Sequence, residues 1–257
     1  MKVTTWNVNG IRAREAQVLE WVLTQRPDIV CLQEIKASPD AVPPSLCELA
    51  DYWCFWHGHK GYSGVAINLR KETFPEQPAF FHPPFDEENR VVAVRLGPLM
   101  VASVYVPNGG KDFQAKLRFL EGLDAFVRSE LTNGAELLIC GDLNVALEDR
   151  DVHPVMRKPG QVGTTEEERR WMRHILDAGM VDLLRQFDPD NDRLFSWWAP
   201  WRNFRQRNFG WRIDYVLASR GLADRARSCR SHREFGTSDH GPVTAEFEVS
   251  ASWPRPR

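Results

Sequence analysis

LLICGDLN, residues 137–144, sets four apolar residues, Leu137 to Cys140, directly against Gly141-Asp142. A short apolar run of this kind reads as a strand ending at Gly141-Asp142. Asp142 and Asn144 then stand where the strand ends. The same arrangement recurs along the chain. Asn7 and Asn9 follow an apolar strand in WNVNG, Glu34 follows IVCLQ, and Tyr105 and Asn108 end VYVPN. Asp214 lies in WRIDYVL, and Asp239-His240 precede the last strand in SDHGPV. Polar groups at strand ends converge on one edge of a sheet, where a rigid scaffold can hold a site.

The segments between these points set the expected fold. Strands are predicted over Lys2–Val8, Ile29–Gln33, Cys54–His57, Gly64–Leu69, Val91–Leu96, Leu99–Val106, Leu137–Cys140, Arg212–Leu217 and Val243–Val249. Helices are predicted over Ala16–Gln25, with Val18, Leu19, Val22 and Leu23 at helical spacing, and over Phe113–Leu131. Another is predicted from Thr164-Thr165 to about Ala178, its start marked by a capping residue with Glu166–Glu168 behind it. Many strands with few helices and no linker suggest one α/β domain over residues 1–250, two sheets face to face with helices outside. Residues 251–257 are expected to be a disordered tail.

Composition narrows the class. Of the 257 residues 42% are hydrophobic, enough for a sizeable core, and no apolar run reaches the length of a membrane span. The five cysteines are irregularly spaced without a CxxC, which reads as reduced thiols in a cytoplasmic protein. A net charge of −2 does not advertise a nucleic-acid partner. It conceals two basic clusters, however: Arg202, Arg205, Arg207 and Arg212, then Arg225, Arg227, Arg230 and Arg233.

The strand-end residues make an oxygen-rich inventory with one histidine and no thiol, which suits Mg²⁺ or Mn²⁺ rather than zinc. Each also has an ordinary reading. Glu34 could be a solvated acid, Asp142 and Asn144 an Asx-turn, Tyr105 half-buried packing and His240 a satisfied core histidine. Asp214, inside an apolar run, needs a partner because a buried unpaired charge is costly; an arginine is the ordinary one. The joint placement of all of them at strand boundaries is what argues for a site. FSWWAPWRNFRQRNFGW, residues 195–211, interleaves aromatics with arginine, as a nucleic-acid groove does.

With these motifs in hand, the chain resembles the exonuclease III family of AP endonucleases, within the endonuclease/exonuclease/phosphatase superfamily. The resemblance rests on WNVNGIRA (6–13), LQEIK (32–36), YSGVA (62–66), YVPNGG (105–110), GDLNVA (141–146), GWRIDYVLAS (210–219) and SDHGPV (238–243), in the family's order over nearly the whole chain. It implies a four-layer α/β sandwich and metal-dependent DNA phosphodiester hydrolysis in base excision repair. The substrate would be double-stranded DNA, abasic or damaged at a 3′ end, and the enzyme a cytoplasmic monomer. Glu34 would bind the metal with Asn7 beside it, and Asp239 with Asn9 would mark a second metal position. His240, oriented by Asp214, would contact the phosphate or activate water, and Asp142 would hold or deprotonate that water. Which of Asp142 and His240 is the base stays open. Asn144, Tyr105 and Asn108 would position the phosphate. Trp197, Trp211 and Ile213 would wall the sugar pocket with Trp198 beneath. Trp201 and Lys111 would probe the grooves, and Tyr62, Arg205, Arg207 and Asn208 would touch the backbone. One departure stands out: HPVMRKPGQVGT, residues 153–164, lacks the asparagines many relatives use there, with Arg157 and Lys158 as basic substitutes. That leaves open the balance between abasic-site cleavage, 3′-phosphodiesterase trimming and exonuclease action. A superfamily phosphatase or phospholipase, or a silent DNA-binding module, are the competing readings.

Overall fold

The computed structural model describes residues 1–47, 49 and 51–248. Strands β1 (Lys2–Asn7), β2 (Ile29–Gln33), β3 (Tyr52–His59), β4 (Tyr62–Arg70), β11 (Ala226–Ser231) and β12 (Val243–Phe247) form one mixed sheet, ordered β11-β12-β1-β2-β4-β3. Strands β5 (Phe80–Phe81), β6 (Val91–Leu96), β7 (Leu99–Tyr105), β8 (Glu136–Asp142), β9 (Met180–Asp182) and β10 (Asp214–Ser219) form the other, ordered β5-β6-β7-β8-β10-β9.

The apolar run of residues 137–140 now explains itself. Leu138 and Cys140 enter the core between the sheets, while Leu137 and Ile139 face the opposite way, onto helices α3 (Phe113–Thr132) and α4 (Glu166–Asp177). On the first sheet, α1 (Ile11–Gln25) and the short α2 (Pro44–Cys47) cover the outer face through Ile11, Val18, Val22 and Leu46. The result is four layers, helix–sheet–sheet–helix, as expected. Shorter helices α5 (Leu183–Phe187) and α7 (Arg220–Ala223) contribute Leu183, Leu184 and Leu222 to the inter-sheet core. Truncating Leu138 to alanine in this packing costs about 2–5 kcal/mol. No helix among the described residues is long and apolar enough to cross a membrane.

Several expectations shift. Helix α1 starts at Ile11 rather than Ala16, because Gly10 at φ 101° turns the chain and the Gly10 and Ile11 amides bond to Glu34 and Ile35 carbonyls. Its inward face uses Trp21, whereas Leu23 is 70% exposed. Strand β10 begins at Asp214, not Arg212, since Arg212 is drawn into an ionic network described below. Strands β5 and β9 are only 2 and 3 residues long, and β11, ARSCRS, is mostly polar, so none of them stands out in the sequence. Val249 and the tail 251–257 lie outside the described residues.

Strand register carries the site. In the second sheet Tyr105 pairs with Asp142 across a parallel ladder, and Asp142 pairs with Asp214 across an antiparallel one. In the first, Asn7 pairs with Gln33, one residue before Glu34. Just beneath, Gln33 donates to Ser103 Oγ at 3.0 Å and accepts from Thr5 Oγ1 at 3.2 Å, a buried polar tie between the sheets.

Candidate active site

Gly141 is required by this geometry: a Cβ there would collide with the Val104 carbonyl of the neighbouring strand. Like charges opposite one another in a ladder are destabilising, so the Asp142–Asp214 pairing calls for compensation. His240 supplies it. Its Nδ1 lies 2.9 and 3.1 Å from the two Asp214 oxygens, and its Nε2 lies 3.8 Å from Asp142 Oδ2. Asp214 therefore takes a histidine as its partner, not the arginine of the ordinary reading. Burial alone would lower the His240 imidazole, but Asp214 and Asp142 outweigh it and push it up to about 10. Asp142 is pushed up to about 7 by burial, with Asp214 and Glu34 reinforcing this against the pull of His240.

Glu34 comes from the other sheet. Asn7 Nδ2 joins the two, donating to Glu34 Oε1 and to Asp142 Oδ2, each at 2.9 Å. Burial works to raise the Glu34 carboxyl, yet the bonds from Asn7 and from Lys36, whose Nζ is 2.8 Å away, hold it below its ordinary value. Tyr105 is driven far up by burial and by Glu34 and Asp142, so its phenol stays protonated. Glu34, Asn9 and Asn144 all sit at positive φ, 49°, 45° and 51°. That conformation costs roughly 1–3 kcal/mol each for residues other than glycine, and such strain gathers at functional sites.

The fit to a divalent cation can be tested on these atoms. Glu34, Asp142 and His240 each offer a ligand atom within 4.8 Å of the others. The oxygen donors suit a hard cation, and such an ion would offset the cost of burial that raises Asp142 and opposes ionisation of Glu34. The residues fit. The other residues expected on the metal side form a hydrogen-bonded frame around these ligand atoms. Asn7 orients the two carboxylates through its Nδ2. Asn9 bonds to Asp239 Oδ1 at 2.8 Å and accepts from Lys36 at 2.6 Å, and the second Asp239 oxygen accepts from Trp197 Nε1 at 2.9 Å. Asn9 thus bridges Asp239 and Lys36 at the edge of the site.

A cavity of about 450 Å³ opens beside these groups, lined by Trp197, Trp211 and Ile213 on one side and Tyr105, Asn108 and Asn144 on another. Asn144 donates through its side-chain amide to Val106 O and Asp142 Oδ2, at 2.9 and 3.3 Å, and so helps to hold Asp142 at the cavity wall. Trp198 is buried beneath, donating to Asn208 Oδ1 at 3.0 Å. Two residues expected at the DNA backbone make hydrogen bonds within the protein. Asn208 is buried between Trp198 and the Arg193 carbonyl, and Arg205 donates to the carbonyls of Arg233, Phe235 and Ser238. Both staple the aromatic loop to the rest of the molecule. Trp201, Arg207, Lys111 and Tyr62 are exposed; Tyr62 and Lys111 line a neighbouring cavity that shares Tyr105 and Asn108, and Arg207 stacks on Phe209 just after helix α6 (Phe204–Arg207).

Sequence reasoning overlooked three contributors. Lys36 was inside the quoted LQEIK, but nothing local shows that it pairs with Glu34. Gln161 lines the cavity from the loop that lacks asparagine. The third, Lys116, reads as an exposed helix position and is completely buried.

Residues 4–240 match the endonuclease/exonuclease/phosphatase family, and the chain belongs to it. An exodeoxyribonuclease of Bacillus subtilis (strain 168) is 32% identical over 95% of this chain and 98% of its own. A 3′-5′ exonuclease from Neisseria meningitidis superposes with a TM-score of 0.89 at 34% identity, over 97% of this chain and all of that one. The Neisseria protein is also solved as a 3′ phosphatase bound to a product DNA hairpin. An AP endonuclease from Archaeoglobus fulgidus gives a TM-score of 0.87 at 31% identity, covering 97% of this chain and 100% of its own.

Proposed function

We propose that the chain is a metal-dependent DNA phosphodiesterase of base excision repair, cleaving the backbone 5′ to abasic sites and trimming 3′ ends by attack of water on phosphorus. The observation that carries the reading is the meeting of Glu34, Asp142, Asp214 and His240, drawn from both sheets, beside a cavity with aromatic walls. The relatives that act at abasic sites and 3′ ends support the substrate class.

Glu34, with Asp142, would hold Mg²⁺ or Mn²⁺. When bound, that ion offsets charge on the phosphate oxygens and favours in-line attack. Asp214 fixes the His240 ring through Nδ1, which turns Nε2 toward Asp142 and the cavity. From there His240 donates to a phosphate oxygen. Asp142, held by Asn7 and by the Asn144 amides, holds the attacking water and takes its proton. Asn108 and Tyr105 supply donors for the developing charge. Trp197, Trp211 and Ile213 accept a deoxyribose turned out of the helix. Trp201 and Lys111 enter the grooves of duplex DNA, and Tyr62, Arg207, Arg157 and Lys158 meet its phosphates. Asp239, anchored by Asn9 and Trp197, supports this edge. The enzyme works as a monomer in the cytoplasm.

The test is a duplex with a single abasic site, incubated with Mg²⁺, Mn²⁺ or EDTA, beside a duplex with an undamaged recessed 3′ end. Metal-dependent incision or trimming is expected. Hydrolysis of a small phosphodiester with no action on either duplex would assign the site to a non-DNA substrate.

A further inference from the structure

Two fully buried charges stand behind the cavity. Lys116 on α3 and Glu168 on α4 are both inaccessible to solvent, with Nζ 2.5 Å from Glu168 Oε1. An ammonium has three hydrogens to donate. The other two partners here are main-chain carbonyls: Asn144 at 2.7 Å and Asn108 at 3.2 Å. Glu168 accepts from the Gly163 amide at 2.8 and 2.9 Å and from the Thr165 amide and hydroxyl at 2.9 and 2.7 Å. Gly163 in turn accepts from the Ala146 amide at 2.7 Å. The Lys116 stem also fills the space at Gly109, where a Cβ would come within 2.8 Å of Lys116 Cδ. One ion pair thus holds three loops, and Asn108, Asn144 and Gly163 of those loops line the cavity.

If the pair served only to join α3 to α4, apolar residues would do as well. Replacing a buried ion pair by packed hydrophobic side chains is often neutral or stabilising. What apolar residues could not do is fix the Asn108 and Asn144 carbonyls from within. We propose that Lys116 and Glu168 are positioning residues, setting the spacing of the Asn108 loop, the Asn144 loop and the Gly163 wall around the substrate phosphate. The proposal rests on the phosphodiesterase reading for what the spacing serves, but the positioning itself can be read without activity.

The variant is the double substitution Lys116→Met with Glu168→Gln. It removes both charges together, and the glutamine oxygen still accepts the helix-capping bonds of Thr165. Lys116→Arg serves as the conservative companion. Hydrogen exchange of segments 106–110 and 142–146 should accelerate in the double variant, while α3 and α4 keep their wild-type rates. On abasic duplex, kcat should fall on the order of 10- to 100-fold, since displacements near 1 Å at a site have that consequence, with KM and melting temperature nearly unchanged. Lys116→Arg should recover most of the loss. Loops that exchange at the wild-type rate in the double variant would overturn the proposal, as would a kcat that stays intact while the melting temperature falls. A wild-type protein inert on DNA would sink the phosphodiesterase reading alone, because the exchange measurement still decides on positioning.

Discussion

Arg212 and Asp214 are two residues apart and enter two buried charge networks of opposite character. Arg212 forks onto both Asp151 oxygens at 2.8 and 2.9 Å and reaches Asp182 at 2.5 Å, and Arg185 adds a further bond to Asp151 at 2.6 Å. Two guanidiniums face two carboxylates. Burial works to raise Asp151, but Arg212 and Arg185 hold it below its ordinary value. Around Asp214 the count differs: four carboxylates, Glu34, Asp142, Asp214 and Asp239, share Lys36 and the His240 imidazolium. There burial wins at Asp142, which rises to about 7. A balanced buried network is structure. An unbalanced one is held in place by the fold for something the fold does not contain.

The largest effect should come from the unbalanced side. His240→Ala or Asp214→Ala should cut turnover on abasic duplex by about 10²–10⁴-fold, the contribution of a positioned proton-transfer group. Asp142→Asn should do the same while leaving the melting temperature level or higher, because it relieves crowded charge. Steady-state cleavage and thermal melts on the same preparations check both; a destabilised Asp142→Asn with full activity would reverse the contrast.

On the balanced side the cost falls on stability. Arg212→Met leaves Asp151 and Asp182 without their shared cation and should cost about 3–5 kcal/mol in urea unfolding. Acid should act through the same group. The depressed Asp151 contributes stability in full above the unfolded aspartate value, about 3.9, and loses it as pH drops through the lower folded value. Arg212→Met should therefore flatten the acid limb of a pH–stability curve; an unchanged limb would show that Asp151 does not contribute. Smallest of all, Trp201→Ala removes an exposed side chain outside both networks. It should leave stability within about 0.5 kcal/mol and raise KM for duplex with kcat unchanged.

The contrast also separates what a sequence discloses from what it hides. Asp142, Asp214, Glu34 and His240 were legible because strand ends must converge, whatever the details of packing. The layer order was legible because many strands with few helices and no linker pack most simply as two sheets face to face with helices outside. The internal bonds of Arg205 and Asn208 were hidden because an arginine among aromatics looks the same whether it meets phosphate or main-chain carbonyls. Lys116 and Lys36 were hidden because their partners, Glu168 and Glu34, do not identify themselves as such: a capping glutamate or a strand-end glutamate gives no sign of the lysine that will reach it. Charge pairing depends on side-chain direction in the folded molecule, and local pattern does not carry that.

The central claim is that the excess of buried carboxylate at the strand ends is a cation site. Titrating Mg²⁺ or Mn²⁺ into the substrate-free protein while following its melting temperature tests this without reference to catalysis. A ligand that binds only the folded state raises stability with its concentration. The account predicts such a rise in the wild type, lost in Glu34→Gln and retained in Trp201→Ala. A wild type that does not respond, or a Glu34→Gln variant that responds equally, would contradict it.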